Sequence, residues 1–424
     1  MKKIYILFLI PLILSAQSFL ISNIPLPKTY IQNLDPYPCD EECLQDYLDA
    51  GMIFSFLAHS NLGLEDFKLE QMRRDHLASL QMSPNQMDKE LRIALLLPYK
   101  KIGRYATSTT NAAFAYLMSK NKPFELKTYK IEHENKKEIL EALLQIKQDN
   151  FSYVIAPLTQ KGENVVSKID PKINIYFPTI NKKDANTTSQ FLFYGGIDYR
   201  AQSDILLKEA VSPLVIFHDK SAIGNILTNY QELKFKETPA IDENITIIES
   251  NIMDENLTED EPNRVVTFTI PRRTTNLEKQ LKENEDIVEG SFFVNTPIIK
   301  SGMIMSQLTL YDTNATNVLS TQTNYNPLLL SMTQYQDRKM MIIANSITKH
   351  KDVIIETNAL LGNDIVYDWI NYTTTIGMDF FFSQLNASQR EYDIKIVDNQ
   401  MVYPIELIRP SLSRFIPYRA STEY

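Results

Sequence analysis

Cys39 and Cys43 are the only cysteines of the chain, set in Pro38-Cys-Asp-Glu-Glu-Cys43. A thioredoxin-type redox pair has two intervening residues and this pair has three, so redox catalysis is the weaker reading. Two separate thiols are a second alternative. In an oxidising compartment an even pair at short spacing suits a disulfide best. The loop it closes is small, which makes its entropic stabilisation modest. A spacing of four fits poorly inside a regular helix, so the bond is expected at a helix start. His59, His76, His133, His218 and His350 are dispersed, and none forms a zinc-ligand spacing with another. There is no Walker phosphate loop, no Gly-x-Ser-x-Gly elbow and no His-Glu-x-x-His. Acidic pairs such as Glu41-Glu42 read as solvated helix ends, and the single tryptophan, Trp369, as core. The expectation is a non-enzymatic protein with neither metal nor cofactor.

A different chemistry is written in four places. The pattern Asp/Glu-x-Asn-x-Ser/Thr, an acceptor sequon for some bacterial N-oligosaccharyltransferases, occurs at Asn186, Asn244, Asn256 and Asn314. All four fall in expected loops, where a bulky glycan has room.

The elements that position these residues follow from composition and periodicity. At 424 residues, 44% hydrophobic and 22% charged, the chain is globular and long enough for two or three domains. A net charge of -9 with no basic patch argues against a nucleic-acid partner. Lys2 and Lys3, the apolar run Ile4–Leu14 and the small residues Ser15-Ala16 have the layout of a signal peptide over residues 1–16. No later stretch is apolar enough to span a membrane, so the mature chain is expected in the periplasm without a transmembrane segment. Residues 17–90 read as an extended lead-in and a helical hairpin: helices over 40–58 and 64–81, a turn at Asn61-Leu-Gly63, and docking onto the body that follows.

From Leu91 strands and helices alternate. Strands are expected at 92–98, 124–131, 153–157, 174–178, 190–194, 214–217, 245–249, 265–270, 291–294, 317–320 and 340–344. Helices lie between them, with a long apolar one over 364–382 and a hairpin turning at Asp398-Asn399. The short, nearly continuous apolar runs suit strands buried on both faces of parallel sheets, an α/β architecture.

Three segments carry a resemblance. Ile93-Ala-Leu-Leu-Leu-Pro98 leads into a glycine loop and a helix containing Asn111-Ala-Ala-Phe-Ala115. Ile155-Ala-Pro-Leu-Thr159 is the second, and Ser291-Phe-Phe-Val-Asn-Thr-Pro297 with its long helix the third. In this order they resemble the type I periplasmic-binding fold of leucine/isoleucine/valine-binding proteins. Within that superfamily the chain is more similar to the lipoprotein activators of penicillin-binding proteins. It departs from them in lacking a cysteine after the apolar N-terminal core and in its far shorter helical segment.

The resemblance implies two lobes, roughly 91–197 plus 321–384 and 198–320 plus 385–424, joined by about three crossovers around a cleft. It implies ligand-facing positions at Tyr105, Thr159, Gln160, Thr179 and Tyr199, with helix N-termini suited to a carboxylate. Amino-acid binders of the family carry an acidic residue after the strand matched by Phe292-Phe-Val294. Here Thr296-Pro297-Ile298 stands instead, and a buried ammonium without that partner is costly. The expected role is therefore binding or regulatory, an activator or scaffold for peptidoglycan synthesis or another envelope complex. The alternative is a solute-binding protein for a small polar ligand.

Overall fold

The computed structural model describes residues 37–60, 64, 66–80, 91–120, 122–237, 263–386 and 388–419. The signal peptide, the lead-in up to residue 36, the turn at 61–63 and the strand expected at 245–249 lie outside them, as do Asn244 and Asn256.

The strands in chain order are β1 (Leu91–Pro98), β2 (Phe124–Ile131), β3 (Tyr153–Ile155), β4 (Asn174–Phe177), β5 (Leu192–Tyr194), β6 (Leu214–His218), β7 (Val265–Thr269), β8 (Ser291–Asn295), β9 (Asn317–Ser320), β10 (Met341–Asn345), β11 (Lys395–Val397), β12 (Gln400–Val402), β13 (Glu406–Pro410) and β14 (Phe415–Pro417). They form two seven-stranded sheets, ordered β2-β1-β3-β4-β5-β12-β11 and β7-β6-β8-β9-β10-β13-β14. The order of the first five strands is the same in both, with a switch point between β1 and β3 and between β6 and β8, while β12 joins β5 in parallel and β13 joins β10 antiparallel.

Each sheet is buried on both faces. Leu91, Ile93, Leu95 and Leu97 of β1 point to one core, beneath the helices Arg104–Met118, Asp352–Leu360 and Trp369–Asn386. Ala94 and Leu96 point to the other, beneath Lys136–Gln148 and Gln160–Ile169. This period-two division is why the strand reads as an unbroken apolar run. The second sheet packs against Ile298–Leu310 on one face and lies against Tyr199–Leu206 and Ala222–Glu237 on the other.

The lobe boundaries differ from those expected. β10 pairs with β9 (Met341↔Val318), so the chain stays in the second sheet through Asn345 and then crosses back. The terminal hairpin extends the first sheet, through the Gln400↔Tyr194 pairing of β12 with β5. It crosses again only at 403–405, and β13 and β14 close the second sheet as antiparallel strands. The chain thus passes between lobes three times, after Ile197, after Ser346 and after Val402. The hairpin turns at Asp398 and Asn399, both at positive φ (48° and 60°), the conformation that Asp and Asn tolerate in a two-residue turn.

Among the described residues the N-terminal segment holds three helices where two were expected: Glu41–Asp49, Ile53–His59 and Phe67–Ser79. The first break falls at Gly51, whose φ of 69° is a left-handed conformation that ends a helix. Leu44, Phe56, Leu57 and Leu69 make a small core of their own. Cys39 and Cys43 are disulfide-bonded across the first helix start, where Asp40 accepts the Cys43 N–H at 3.0 Å. No helix among the described residues is long and apolar enough to cross a membrane.

Candidate functional site

Five residues were expected at the carboxyl ends of the first sheet's strands, and the structure divides them into two groups. Tyr105 lies in the first turn of Arg104–Met118, after β1, and Tyr199 opens Tyr199–Leu206, after β5. The Tyr105 ring lies 6.2 Å from Trp369 and under the Arg104 guanidinium. Tyr199 packs against the same core, and burial, with Tyr105 and Asp368 close by, pushes its hydroxyl well above the usual tyrosine range. Asp368 caps the helix of Trp369 by accepting the Ile370 N–H at 3.0 Å; burial raises its carboxyl. Tyr105, Tyr199, Trp369 and Asp368 thus form one aromatic and acidic cluster. Trp369 is half-buried in it rather than sealed in core.

Thr159, Gln160 and Thr179 are committed elsewhere. The Thr159 N–H donates to Glu134 Oε1 at 2.7 Å and its hydroxyl to Glu134 Oε2. Glu134 lies in the loop after β2 and is 5% exposed. Its carboxylate therefore sits at the N-terminus of Gln160–Ile169, where a ligand carboxylate was expected. A Cβ added at Gly162 would stand 2.9 Å from it, so glycine is what permits this approach. The Thr179 hydroxyl donates to Leu158 O at 2.7 Å, and Gln160 Nε2 to Asp184 O at 2.5 Å. The three side chains brace the loops that they were expected to open to a ligand. Nothing in the sequence around Glu134 announced this. It stands 25 residues from Thr159 and precedes Asn135, the N-cap of the next helix, so it reads as a solvated loop polar.

On the second lobe, Thr296 is 3% exposed and shares a 2.9 Å hydrogen bond with Ser301. The segment expected to lack a carboxylate is closed by its own hydroxyls. Among the described residues no group of three or more His, Cys, Asp and Glu side chains is placed to hold a metal ion.

The crossovers carry a further cluster that sequence reasoning missed. Gln202 Nε2 donates to Gln322 Oε1 (3.1 Å) and Ser346 Oγ (2.8 Å), while Gln202 Oε1 accepts the Gln322 N–H (3.0 Å). All three are buried. Beside them lies a mainly apolar cavity of about 510 Å³, lined by Asp198, Ala201, Ser346, Met401, Tyr403 and Ile405 among others. It draws residues from all three crossovers.

Solved structures of similar fold include an ABC transporter substrate-binding protein from Sphaerobacter thermophilus, 11% identical, matching 78% of this chain and 97% of that one at a TM-score of 0.54. The leucine-binding protein LivK from Thermotoga maritima is 11% identical over 78% and 98%, at 0.51. LpoA from Haemophilus influenzae is 10% identical over 90% of this chain and 72% of its own, at 0.50. These likenesses define the class: the body has the two-lobed type I periplasmic-binding fold. No protein-family model and no curated protein sequence matches the chain.

Proposed function

We propose that this chain is a non-enzymatic regulatory or scaffolding protein of the periplasm, whose binding-fold body engages an envelope protein rather than a free amino acid. Glu134 carries the reading. Its carboxylate occupies the helix N-terminus and the hydroxyl that the resemblance assigns to a ligand. A second carboxylate about 4 Å away would be repelled by about 4 kcal/mol at an effective dielectric near 20, roughly a thousandfold in affinity. The seat is filled from within. The exposed Ile299, in the first turn after Thr296-Pro297, presents an apolar side chain next to the position where the resemblance puts an amino-acid binder's acidic residue.

The likeness to LpoA supports an activator-type role. Residues 91–424 are about four fifths of the chain, so a match over 90% extends into the residues before the binding body. The two transport-protein matches stop at 78%. LpoA is a penicillin-binding protein activator, and the partner proposed here is an enzyme of cell-wall synthesis.

Two measurements test this. Crosslinking at native expression is expected to recover an envelope protein, a penicillin-binding protein first; recovery of none overturns the scaffold role. In thermal-shift titrations with amino acids and acetate at millimolar concentration, the wild-type melting temperature is expected to stay fixed. Glu134→Ala, or Glu134→Gln should the first fold poorly, is expected to gain a carboxylate-dependent rise. An amino acid that stabilises the wild type sinks the reading in favour of solute binding. The observation favouring that second reading is the cluster of Tyr105, Tyr199 and Trp369.

A further inference from the structure

The sequons at Asn186 and Asn314 both lie in the described structure, and the chain holds them differently. Exposure alternates along the chain in both segments. Asp184, Asn186 and Thr188 are all exposed, while Ala185 and Thr187 are half-buried. Asp312, Asn314 and Thr316 repeat the pattern. The acidic residue, the asparagine and the hydroxyl of each sequon are therefore all exposed, the acidic residue in each case from a turn: Asp184 ends the 3-10 helix Lys182–Asp184 and Asp312 has a φ of 51°. Those are the three groups that the sequon defines.

The two differ in what holds them. Around Asn186 the loop is pinned at its ends. Asp184 N–H donates to Asn181 O and the Ser189 hydroxyl to Asp170 Oδ1 at 2.8 Å. Residues 185–188 form the arch between these anchors. Asp184 pairs with Arg200 at 3.1 Å, but the two side chains are 48% and 39% exposed, so this pair exchanges readily for another cation. At Asn314 the sequon itself is tied to the sheet margin. Asn314 O accepts the Glu289 N–H at 2.7 Å, Thr316 N–H donates to Gly290 O, and the Thr316 hydroxyl donates to Glu289 O at 2.5 Å. Its recognition hydroxyl is already used.

Thr187 and Thr188 also line a polar hollow of about 340 Å³ with Ser167, Asp170, Lys172 and Gln190. This is room for a sugar beside the asparagine, surrounded by hydroxyl and charged groups that hydrogen-bond to it. The hollow sits by Asp170, just before β4, at the amino end of the first sheet. Asn314 sits by Glu289, just before β8, at the amino end of the second. Both lie opposite the strand ends where such folds take ligands.

We infer that Asn186 is an N-glycan acceptor in the folded chain, taking its glycan from a lipid pyrophosphate-linked oligosaccharide, and that Asn314 is modified only before folding. The bond formed joins Asn186 Nδ2 to the anomeric carbon of the first sugar. The bond broken is that carbon's link to the pyrophosphate, which leaves with the electron pair, and the amide loses one proton to base.

The test incubates the folded full chain with a bacterial oligosaccharyltransferase and its lipid-linked donor, and maps glycopeptides by mass spectrometry. A peptide spanning residues 182–190 runs in parallel. Asn186 is expected to be occupied in most molecules, and Asn314 at least tenfold more slowly. Asp184→Ala and Thr188→Ala abolish occupancy at Asn186, Thr188→Ser preserves it, and Arg200→Ala leaves it as fast or faster. An unmodified Asn186 in the folded chain overturns the inference whether or not the peptide is modified. Equal rates at Asn186 and Asn314 overturn the distinction drawn between them.

Discussion

Asp379 shows how much of this fold hangs on single buried polar groups. It is 2% exposed on Trp369–Asn386 and accepts the Tyr116 hydroxyl (2.8 Å) and the N–H groups of Glu391 (3.0 Å) and Tyr392 (3.2 Å). Truncation orphans three donors, so Asp379→Ala should lower stability by about 3 kcal/mol in urea unfolding. His350 gives a pH dependence. Burial holds its imidazole down at about 4, and Nδ1 lies 2.8 Å from the Tyr392 hydroxyl. The unfolded chain takes up this proton near pH 6.5 and the folded chain only near 4. The group's stability contribution is therefore complete above 6.5 and is lost as pH falls toward 4, by up to about 3 kcal/mol. His350→Gln should flatten the melting temperature between pH 7 and 4.5; an unchanged slope sinks the assignment. At this scale the sequence was partly legible. The disulfide was readable from spacing, while Tyr105 and Tyr199 came only from the resemblance, and the structure sets them beside each other. Asp379 and Glu134 were not, because their partners lie far off in the chain.

Among the elements, those with internal periodicity were legible almost to the residue. β1 and β2, and the helix Lys136–Gln148 with Ile139, Leu143 and Ile146 on its buried face, stand where the pattern puts them. Elements defined by a distant neighbour were not. β13 is Glu-Leu-Ile-Arg-Pro, unremarkable until β10 pairs with it from some sixty residues upstream. Between β9 and β10 the chain makes two short helices, Leu328–Met332 and Tyr335–Arg338, separated at the extended Thr333. The long helix Trp369–Asn386 crosses Tyr176 of β4 at Gly377, where an added Cβ would stand 2.3 Å from the tyrosine ring. Tyr176 cannot retreat. Gly195 hems its hydroxyl end, and that hydroxyl donates to Thr373 O at 2.8 Å. Overpacking there should make Gly377→Ala cost about 2–3 kcal/mol in thermal or urea unfolding, a loss partly relieved by adding Tyr176→Leu.

For the whole molecule the question is how the two lobes are held. Besides the three crossovers, Tyr367 of the first lobe stacks with Tyr325 of the second at 4.9 Å, and Phe415 closes the group. The buried Gln202–Gln322–Ser346 bonds tie the first two crossovers together. Replacing Gln202 with leucine removes an acceptor from the Gln322 N–H and a donor from Ser346. With spin labels on the exposed Lys137 and Lys279, Gln202→Leu should broaden the interlobe distance distribution. An unchanged distribution would show that the aromatic group alone sets the angle. The two-lobed plan was legible because strand and helix alternate twice over. The lobe boundaries were not, because membership of a sheet is decided by pairing and not by order along the chain.

That threading has a consequence for biogenesis. The helices Asp352–Leu360 and Trp369–Asn386 roof one side of the first sheet, yet they are made only after the whole of β6 to β10. A nascent chain halted before them has only Arg104–Met118 to cover the face of Leu91, Ile93, Leu95 and Leu97. The half that begins first must therefore finish late, and a polypeptide synthesised from its amino end needs shielding until almost its last segment has emerged.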